Sequence, residues 1–457
     1  MTLLRVQWLT QWRLGIPGVI IGLAVPWAAL AAAAPVAGPY LLFIEVAAVG
    51  VFISGALVVA DRAAGVSAAL AVSPARSSIV MAARIAPLWG LTMLAAMPVV
   101  LVSRPQRPVM AMAAVSLTAL LLLASGSGLA ARRRTLMGFL TFAPWPLAPL
   151  LAVPLAVSAG LLTHPAWHAV PTTGALALMR GEAAYPAWLL LGNLTVWCVA
   201  VLIWAGHQGT TSGAPASAVR RGATTAPASW RRADLRNITR EAIITPIALS
   251  PILLGLALRF GLPPLTSWAD GAHGLDIAPY QPVIALAAVV LHVPVIAGML
   301  GALIVLDDRD DGALQAILVS PLGARRYLGY RLTAVTVFAA AGLALSAPLS
   351  GQVPASGWAA CLLAVPMAPA FTLAVLATAG NRVQGVTAVK ALGVPSYAPL
   401  AALWLSGPAG WALGVLPGYW IITAWREPDP VIISCGIGCA ALWIALLTPA
   451  ATRRLTR

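Results

Sequence analysis

Charged residues are scarce in this sequence. Asp, Glu, Lys and Arg together make up 9% of the 457 residues, and acidic residues number only 13. Hydrophobic residues make up 60%, and the mean hydropathy is +0.90. A soluble globular protein does not combine so much apolar sequence with so little charge. The composition therefore predicts an integral membrane protein.

The few cysteines and histidines do not form a recognisable chemical site. Cys435 and Cys439 are one helical turn apart in an apolar stretch, but no His or carboxylate accompanies them. We therefore favour packed thiols over a metal or redox pair. His164 and His168 are spaced to share a helix face but lack a third ligand, so we favour a polar outer segment over a metal site.

Motifs for catalysis and for nucleotide binding are also absent from the sequence. No stretch matches Gly-x-x-x-x-Gly-Lys-Ser/Thr, and no soluble segment is large enough to house a nucleotide site. No Ser-His-Asp arrangement appears either. We therefore expect that this chain is not an enzyme and that it binds no cofactor and no metal.

The basic residues outnumber the acidic ones, 28 to 13, which gives a net charge of +15. In a soluble protein this excess would suggest nucleic acid, but here the basic residues concentrate in alternate loops. Under the positive-inside rule, both termini are expected in the cytoplasm. The opposite side keeps only Arg104, Arg107, Arg180, Arg259 and Arg426.

Twelve apolar runs are candidates for membrane spans, because a helix needs ~20 residues to cross the hydrocarbon. The predicted fold is an all-α polytopic membrane protein with two parallel six-helix repeats and short interfacial helices. The halves are 1–206 and 232–457, joined by a cytoplasmic linker at 207–231 that is rich in Gly, Ser, Thr, Ala and Pro. The spans fall at about 16–35, 40–60, 79–102, 109–131, 136–162, 187–205, 245–262, 281–305, 327–349, 357–379, 387–406 and 430–450.

An internal repeat supports the two halves. Shifting the numbering by 247 aligns eight residues of the second half with identical residues of the first, without a gap, which is typical of transporter folds. An outer segment before the last span of each half shares a Pro and an Arg at equal spacing, at Pro171 and Arg180 and at Pro417 and Arg426. The eight are Asp308, Arg309, Gly312, Ala316, Val319, Ser320, Pro321 and Arg331, which fall on Asp61, Arg62, Gly65, Ala69, Val72, Ser73, Pro74 and Arg84.

The repeated stretch has the pattern of a short helix at the membrane surface. In the second half, acidic residues precede a short amphipathic segment, which suits the dipole at a helix amino end. Ser320 and Pro321 end the segment. Arginines at 325, 326 and 331 then anchor the next span at the interface.

Each half resembles a permease of the type-2 ABC exporters, which implies a protein of the plasma (inner) membrane with an interfacial elbow helix and a cytoplasmic coupling helix in each half. The second half carries DDGALQ at 310–315, VSP at 319–321 and YLG at 327–329, similar to that family's acidic pair, Gly-Thr-Leu-Glu, Ser/Thr-Pro and Gly-Lys pattern. Residues 235–244 resemble its elbow helix, with Arg240-Glu241 where Arg-Asp is common.

The resemblance implies the permease subunit of an ATP-driven exporter, with both halves fused in one chain. Two copies of a separate ATPase subunit would bind ATP and Mg and dock on the surface helices. The first copy departs from the pattern, since Ala63 and Ala64 lie opposite Asp310 and Asp311, so the two docking contacts cannot be electrostatically equal. The residues implied in coupling are Asp61, Arg62, Gly65, Ser73, Pro74, Asp308, Arg309, Asp310, Asp311, Gly312, Leu314, Gln315, Ser320 and Pro321.

Two alternatives remain open at this point. Charged cytoplasmic loops with a Ser-Pro stop occur in membrane proteins that dock nothing. Major facilitator transporters, driven by ion gradients, also have parallel six-helix halves and a Gly-x-x-x-Asp-Arg-x-Gly-Arg-Arg loop. Residues 55–65 and 301–312 resemble that loop only loosely, because their spacing differs and the arginine pair is missing.

Two ionisable residues inside the spans are candidates for the substrate path. Glu45 lies in the second span, and the offset of 247 places His292 at the same position in the second half. Such groups are costly in the membrane and tend to face cavities. Alternatively, Glu45 reaches water and His292 is hydrogen-bonded within the helix bundle. The apolar, Gly-rich spans favour a hydrophobic or amphiphilic cargo such as a drug, an antibiotic or a lipid-like molecule.

Overall fold

The structure is a computed structural model that describes residues 2–33, 35–63, 66, 77–133, 138–139, 142–182, 184–210, 244–273, 276–310, 312–320, 323–404 and 408–456. Within these ranges the chain is helical and contains no strand. The chain divides into two compact units, Met1–Ala223 and Thr224–Arg457. The predicted linker and second elbow helix fall largely on 211–243, outside the described residues, so their boundaries stay predictions.

Ten helices in the described residues are long and apolar enough to cross a membrane, and each matches a predicted span. An eleventh is counted if Leu3–Arg13 and Ile16–Ala32, which meet at a bend of 67°, form one span. At the predicted fifth span the described helix is Pro144–Ser158, with only 15 residues. The all-α polytopic class is therefore confirmed, whereas the count of about twelve stays a prediction. The ten helices are Gly38–Arg62, Ser78–Ser103, Pro108–Ala131, Ala187–Gln208, Leu249–Gly271, Ala278–Asp310, Gly323–Ser350, Ala355–Thr378, Arg382–Leu403 and Pro430–Leu455.

The first unit has nine α-helices in its described residues. A π-helical stretch at Val49–Ile53 joins α3 to α4 within the second span, and 3-10 turns lie at Pro35–Ala37 and Pro165–Ala169. The helices are α1 (Thr2–Arg13), α2 (Ile16–Ala33), α3 (Gly38–Ala48), α4 (Ser54–Ala63), α5 (Ser77–Ser103), α6 (Pro108–Ala131), α7 (Pro144–Ser158), α8 (Pro171–Arg180) and α9 (Ala187–Thr210).

The centre of the first unit is α6, which contacts α4, α5, α8 and α9. Its residues 121–124 are fully buried. Gly126 lies against the backbone of Val51 with no room for a Cβ, so the two spans approach closely, as small residues allow between membrane helices. The predicted first elbow is α1, which leaves the rings of Trp8 and Trp12 exposed, as an interfacial helix does.

The second unit has eleven α-helices in its described residues. A π-helical stretch at Leu286–Leu291 again interrupts the second span, and 3-10 turns lie at Ala278–Tyr280, Ala355–Gly357, Ala398–Leu403 and Leu413–Val415. The helices are α10 (Ile244–His273), α11 (Gln281–Ala285), α12 (His292–Asp310), α13 (Ala313–Leu318), α14 (Gly323–Ser350), α15 (Trp358–Ala364), α16 (Met367–Thr378), α17 (Arg382–Tyr397), α18 (Pro408–Ala412), α19 (Pro417–Arg426) and α20 (Pro430–Leu455).

The core of the second unit lies where α12 packs against α14 and α16. The outer segment before the last span is a ten-residue helix in each unit, α8 and α19. Each begins at the proline and ends at the arginine that the sequence repeat had placed at equal spacing. Pro at the first helical position suits a helix start, because its missing N–H would have no partner there.

Candidate functional site

An ion pair joins the second and third spans of the second unit. Arg331 Nη2 on α14 lies 2.8 Å from Asp308 Oδ2 on α12, and the hydroxyl of Tyr327 donates to the same carboxylate oxygen. The Arg331 side chain is only 6% exposed. Since α13 lies between these two helices in the chain, the pair closes the loop that carries the surface helix.

The first unit has the same ion pair at the equivalent position. Arg84 Nε on α5 donates to Asp61 Oδ2 on α4 at 3.1 Å, and both side chains are buried. In addition, the Arg84 carbonyl accepts from Gln11 Nε2 on α1 at 3.2 Å. Both members of the pair obey the sequence offset of 247, so the repeat is a repeat of an interaction as well as of residues. Tyr327 has no counterpart, because Val80 occupies the matching position.

The other acidic residues of the second unit bind α17. The Arg382 N–H donates to Asp310 Oδ2 at 3.0 Å, and the Arg382 guanidinium pairs with the Asp307 carboxylate and donates to the Asp307 carbonyl at 3.1 Å. The first unit has Ala60 and Ala63 at the positions of these two acids. This clamp between the second and fifth spans therefore belongs to the second unit. Asp311 lies outside the described residues.

The surface helix α13 is a single short helix with one side buried and the other exposed. Gly312 begins it with φ of +75°, a left-handed conformation that favours glycine. Leu314 points into the core, whereas Gln315 is exposed and Val319 is 89% exposed. Ser320 Oγ donates to the Ile317 carbonyl at 2.7 Å and closes the helix end. Of the predicted coupling residues, Gly65, Ser73, Pro74, Asp311 and Pro321 lie outside the described residues.

Arginines also bind the end of the fourth span in each unit. Arg62 donates to the carbonyls of Ala131 and Arg133 at 2.7 and 2.6 Å. Thr378, which is 247 residues after Ala131 and likewise ends its helix, accepts from Arg454 Nη2 at 2.9 Å. Arg309 in turn donates to the Arg454 carbonyl at 3.1 Å. The two arginines predicted for coupling, Arg62 and Arg309, thus donate to backbone carbonyls at helix ends.

Glu45 and His292 are each engaged within their own unit. Glu45 Oε2 accepts from Trp27 Nε1 at 3.0 Å, while its second oxygen is buried without a hydrogen-bond partner among the described residues. That carboxylate borders a narrow pocket between α2, α3 and α5 whose lining is apolar apart from Trp27, Glu45 and Thr92. His292 Nδ1 is hydrogen-bonded to the Tyr397 hydroxyl. A common path faced by both residues stays a prediction.

The two histidines of the outer segment have partners within the first unit, and the two cysteines are unlinked. His164 Nδ1 accepts from the Ala166 N–H at 3.1 Å, and the His168 ring packs edge-on against Tyr185. Cys435 and Cys439 are free thiols, and because Cys435 is exposed the prediction of a packed thiol is wrong for that residue. No group of three or more His, Cys, Asp or Glu side chains in the described part of the chain is arranged to hold a metal ion.

Several of these interactions were missed by the sequence predictions. Arg84 and Arg331 were noticed as matched residues, but their pairing with Asp61 and Asp308 was not foreseen. Arg382 carried no signal beyond its position on the basic side. Trp27 and Tyr397 carried none, because an aromatic residue in an apolar span is common.

Comparison with known proteins gives the family. Residues 234–449 match the family described as fluoroquinolones export permease protein Rv2686c-like. Two proteins of Mycobacterium tuberculosis are each 30% identical to this chain over 208 residues. They are the fluoroquinolones export permease protein MT2760 of strain CDC 1551 and the fluoroquinolones export permease protein Rv2686c of strain H37Rv. That match covers 44% of this chain and 82% of each relative. No solved structure matches the chain. The chain therefore belongs to the Rv2686c-like family of export permeases.

Proposed function

We propose that this protein is the membrane-spanning permease of an ATP-driven ABC exporter that moves a hydrophobic or amphiphilic compound out of the cell. The observation that carries the proposal is the export-permease family match over 234–449, which contains the surface helix and its ion pair. The two relatives are named for fluoroquinolones. A fluoroquinolone is therefore the first cargo to test.

The contacts of α13 give a physical route for coupling. Asp308 pairs with Arg331, and Asp307 and Asp310 pair with Arg382, so a force on α13 reaches the second, third and fifth spans through ion pairs. Among the described residues of the first unit, only the second-to-third pair of these two connections is present, at Asp61 and Arg84. We therefore propose that both halves couple to an ATPase, and that the second half does so more rigidly.

The proposed complex contains two ATPase subunits that bind ATP and Mg, while this chain supplies no catalytic residue. Its two fused halves would take the place of a permease dimer, in the plasma (inner) membrane with both termini in the cytoplasm. A major facilitator mechanism is not favoured, since the family match is to export permeases and the arginine pair of the facilitator loop is missing.

Co-purification with measurement of ATP hydrolysis tests this proposal. The tagged chain is expressed with the ATPase encoded beside it, and ATP hydrolysis and ATP-dependent uptake of a fluoroquinolone are measured in inverted membrane vesicles. A stable complex with fluoroquinolone-stimulated hydrolysis is expected. The ATP-driven mechanism is contradicted if the chain purifies without the ATPase, and if its transport is unaffected by ATP but depends on a proton gradient.

A further inference from the structure

A groove lies on the second unit between the beginning of α14 and the end of α20. Arg325 and Arg453 border one end, and both side chains are exposed. Leu328, Leu332 and Ala445 line the opposite part. The lining therefore changes from basic to apolar along the groove, and no Asp or Glu is among the described residues that line it.

The dimensions of the groove follow from its two helices. Leu332 is seven positions after Arg325, and Arg453 is eight positions after Ala445. At a rise of 1.5 Å per residue, the groove therefore runs ~10–12 Å along both helices. Since both helices have their basic residues at the same end of a membrane span, the arginines lie at the membrane boundary and the apolar walls reach into the hydrocarbon.

The polar groups of the lining leave the arginines as the donors. Thr448 Oγ1 donates to the Ile444 carbonyl at 2.6 Å and Thr452 Oγ1 donates to the Thr448 carbonyl at 2.8 Å. Their hydroxyl protons are thus used within α20, and the threonine oxygens remain as acceptors. Arg453 Nε likewise donates to the Pro449 carbonyl at 3.2 Å, which leaves its Nη groups toward the groove. A ligand at this end must therefore carry negative charge for the two guanidinium groups, which suit a phosphate.

The middle of the groove is open because a glycine, which has no side chain, lines it there. A Cβ at Gly329, in the middle of the groove on α14, would meet nothing within 4 Å. The space above Gly329 lies between the basic end and the apolar end, where the glycerol backbone of a phospholipid would lie. Basic pockets between membrane helices on the cytoplasmic side are known to bind anionic lipid headgroups.

We propose that the groove between α14 and α20 binds an anionic phospholipid, with Arg325 and Arg453 on its phosphate and Leu328, Leu332 and Ala445 along an acyl chain. The charge of the groove selects the headgroup, and the apolar walls select a lipid over a free phosphate ion. This lipid site is independent of the cargo and of the energy source of transport.

Native mass spectrometry of the full chain tests the site. The detergent-purified protein is mixed with equal amounts of dioleoyl phosphatidylglycerol and dioleoyl phosphatidylcholine, and the retained lipid is counted. We expect roughly a thirtyfold preference for phosphatidylglycerol, since each of the two arginines near the membrane surface adds a factor of about five. Equal retention of the two lipids by the unaltered protein would overturn the proposal, whatever the variants do.

Three variants locate the site. Arg325→Gln combined with Arg453→Gln is expected to abolish the preference, and Gly329→Leu is expected to abolish retention while leaving every charge in place. Arg326→Gln is the matched control, because Arg326 is exposed beside Arg325 but does not line the groove, and it should behave as the unaltered protein. A double variant that keeps the preference, or a site emptied by millimolar inorganic phosphate, overturns the lipid assignment.

Discussion

Arg331 reaches Asp308 across the loop that carries α13, with 2.8 Å between Nη2 and Oδ2. The guanidinium is almost fully buried, and the Tyr327 hydroxyl shares the carboxylate. A buried ion pair of this kind adds little net stability over an apolar pair, but removing one partner leaves the other charge buried and unpaired. Its expected role is therefore to hold α12 and α14 in one arrangement.

Removing the arginine is expected to destabilise the second unit strongly. Arg331→Gln leaves the Asp308 carboxylate without its cation, so we expect a loss of about 3 kcal/mol in the free energy of unfolding. Thermal unfolding in detergent, followed by intrinsic tryptophan fluorescence, measures the loss. The double variant with Asp308→Asn should recover more than half of the lost stability, because neither partner is then charged. A double variant less stable than either single one contradicts the pairing.

A substitution at the exposed end of α13 tests docking of the ATPase without changing the stability of the chain. Val319 is 89% exposed, so Val319→Asp should leave thermal unfolding of the purified chain unchanged while weakening co-purification of the ATPase about tenfold or more. Leu314→Asp is the contrasting change, because Leu314 is buried and a charge there is costly. It should destabilise the chain itself. Full co-purification with Val319→Asp would remove α13 from the docking surface.

The sequence predicted the spans well because hydropathy and span length are local properties. The outer helices α8 and α19 were likewise visible as a Pro and an Arg at equal spacing. The ion pairs were visible only in part. Asp61 and Arg84 are 23 positions apart on different helices, so their contact depends on a turn whose geometry the sequence does not reveal.

The clamp at Arg382 was beyond sequence reasoning for a similar reason. Arg382 is 72 positions from Asp310, and only the packing of α17 against α12 brings them together. Glu45 was singled out because a carboxylate in a span is expensive. Its partner Trp27 was not, since nothing in the order of residues indicates which aromatic side chain faces it.

The turn into α13 depends on glycine. Gly312 has φ of +75°, where a side chain strains the backbone by about 1–2 kcal/mol, so Gly312→Ala should destabilise this loop by that amount. Hydrogen exchange of the α13 amides measures the change. Gly329→Ala is the matched control, because Gly329 is helical with open space around it and alanine there should be neutral or stabilising. Equal effects of the two changes would remove the conformational argument.

The pocket at Glu45 predicts a preference for cationic cargo. One carboxylate oxygen is bonded to Trp27 and the other is buried without a partner among the described residues, so we expect it to accept from a protonated amine once the pocket opens to admit the cargo. Glu45→Gln keeps an acceptor for Trp27 but removes the charge. Because a hydrogen bond to a charged group is worth roughly 1.5–3 kcal/mol, the KM for a cargo with a protonated amine should rise about tenfold or more in cargo-stimulated ATP hydrolysis.

An analogue of that cargo without the amine should show the same KM in the unaltered protein and in Glu45→Gln. Trp27→Phe retains the charge and should change the KM for the amine cargo by less. If Glu45→Gln raises the KM for the two cargoes alike, the carboxylate shapes the pocket without binding the amine.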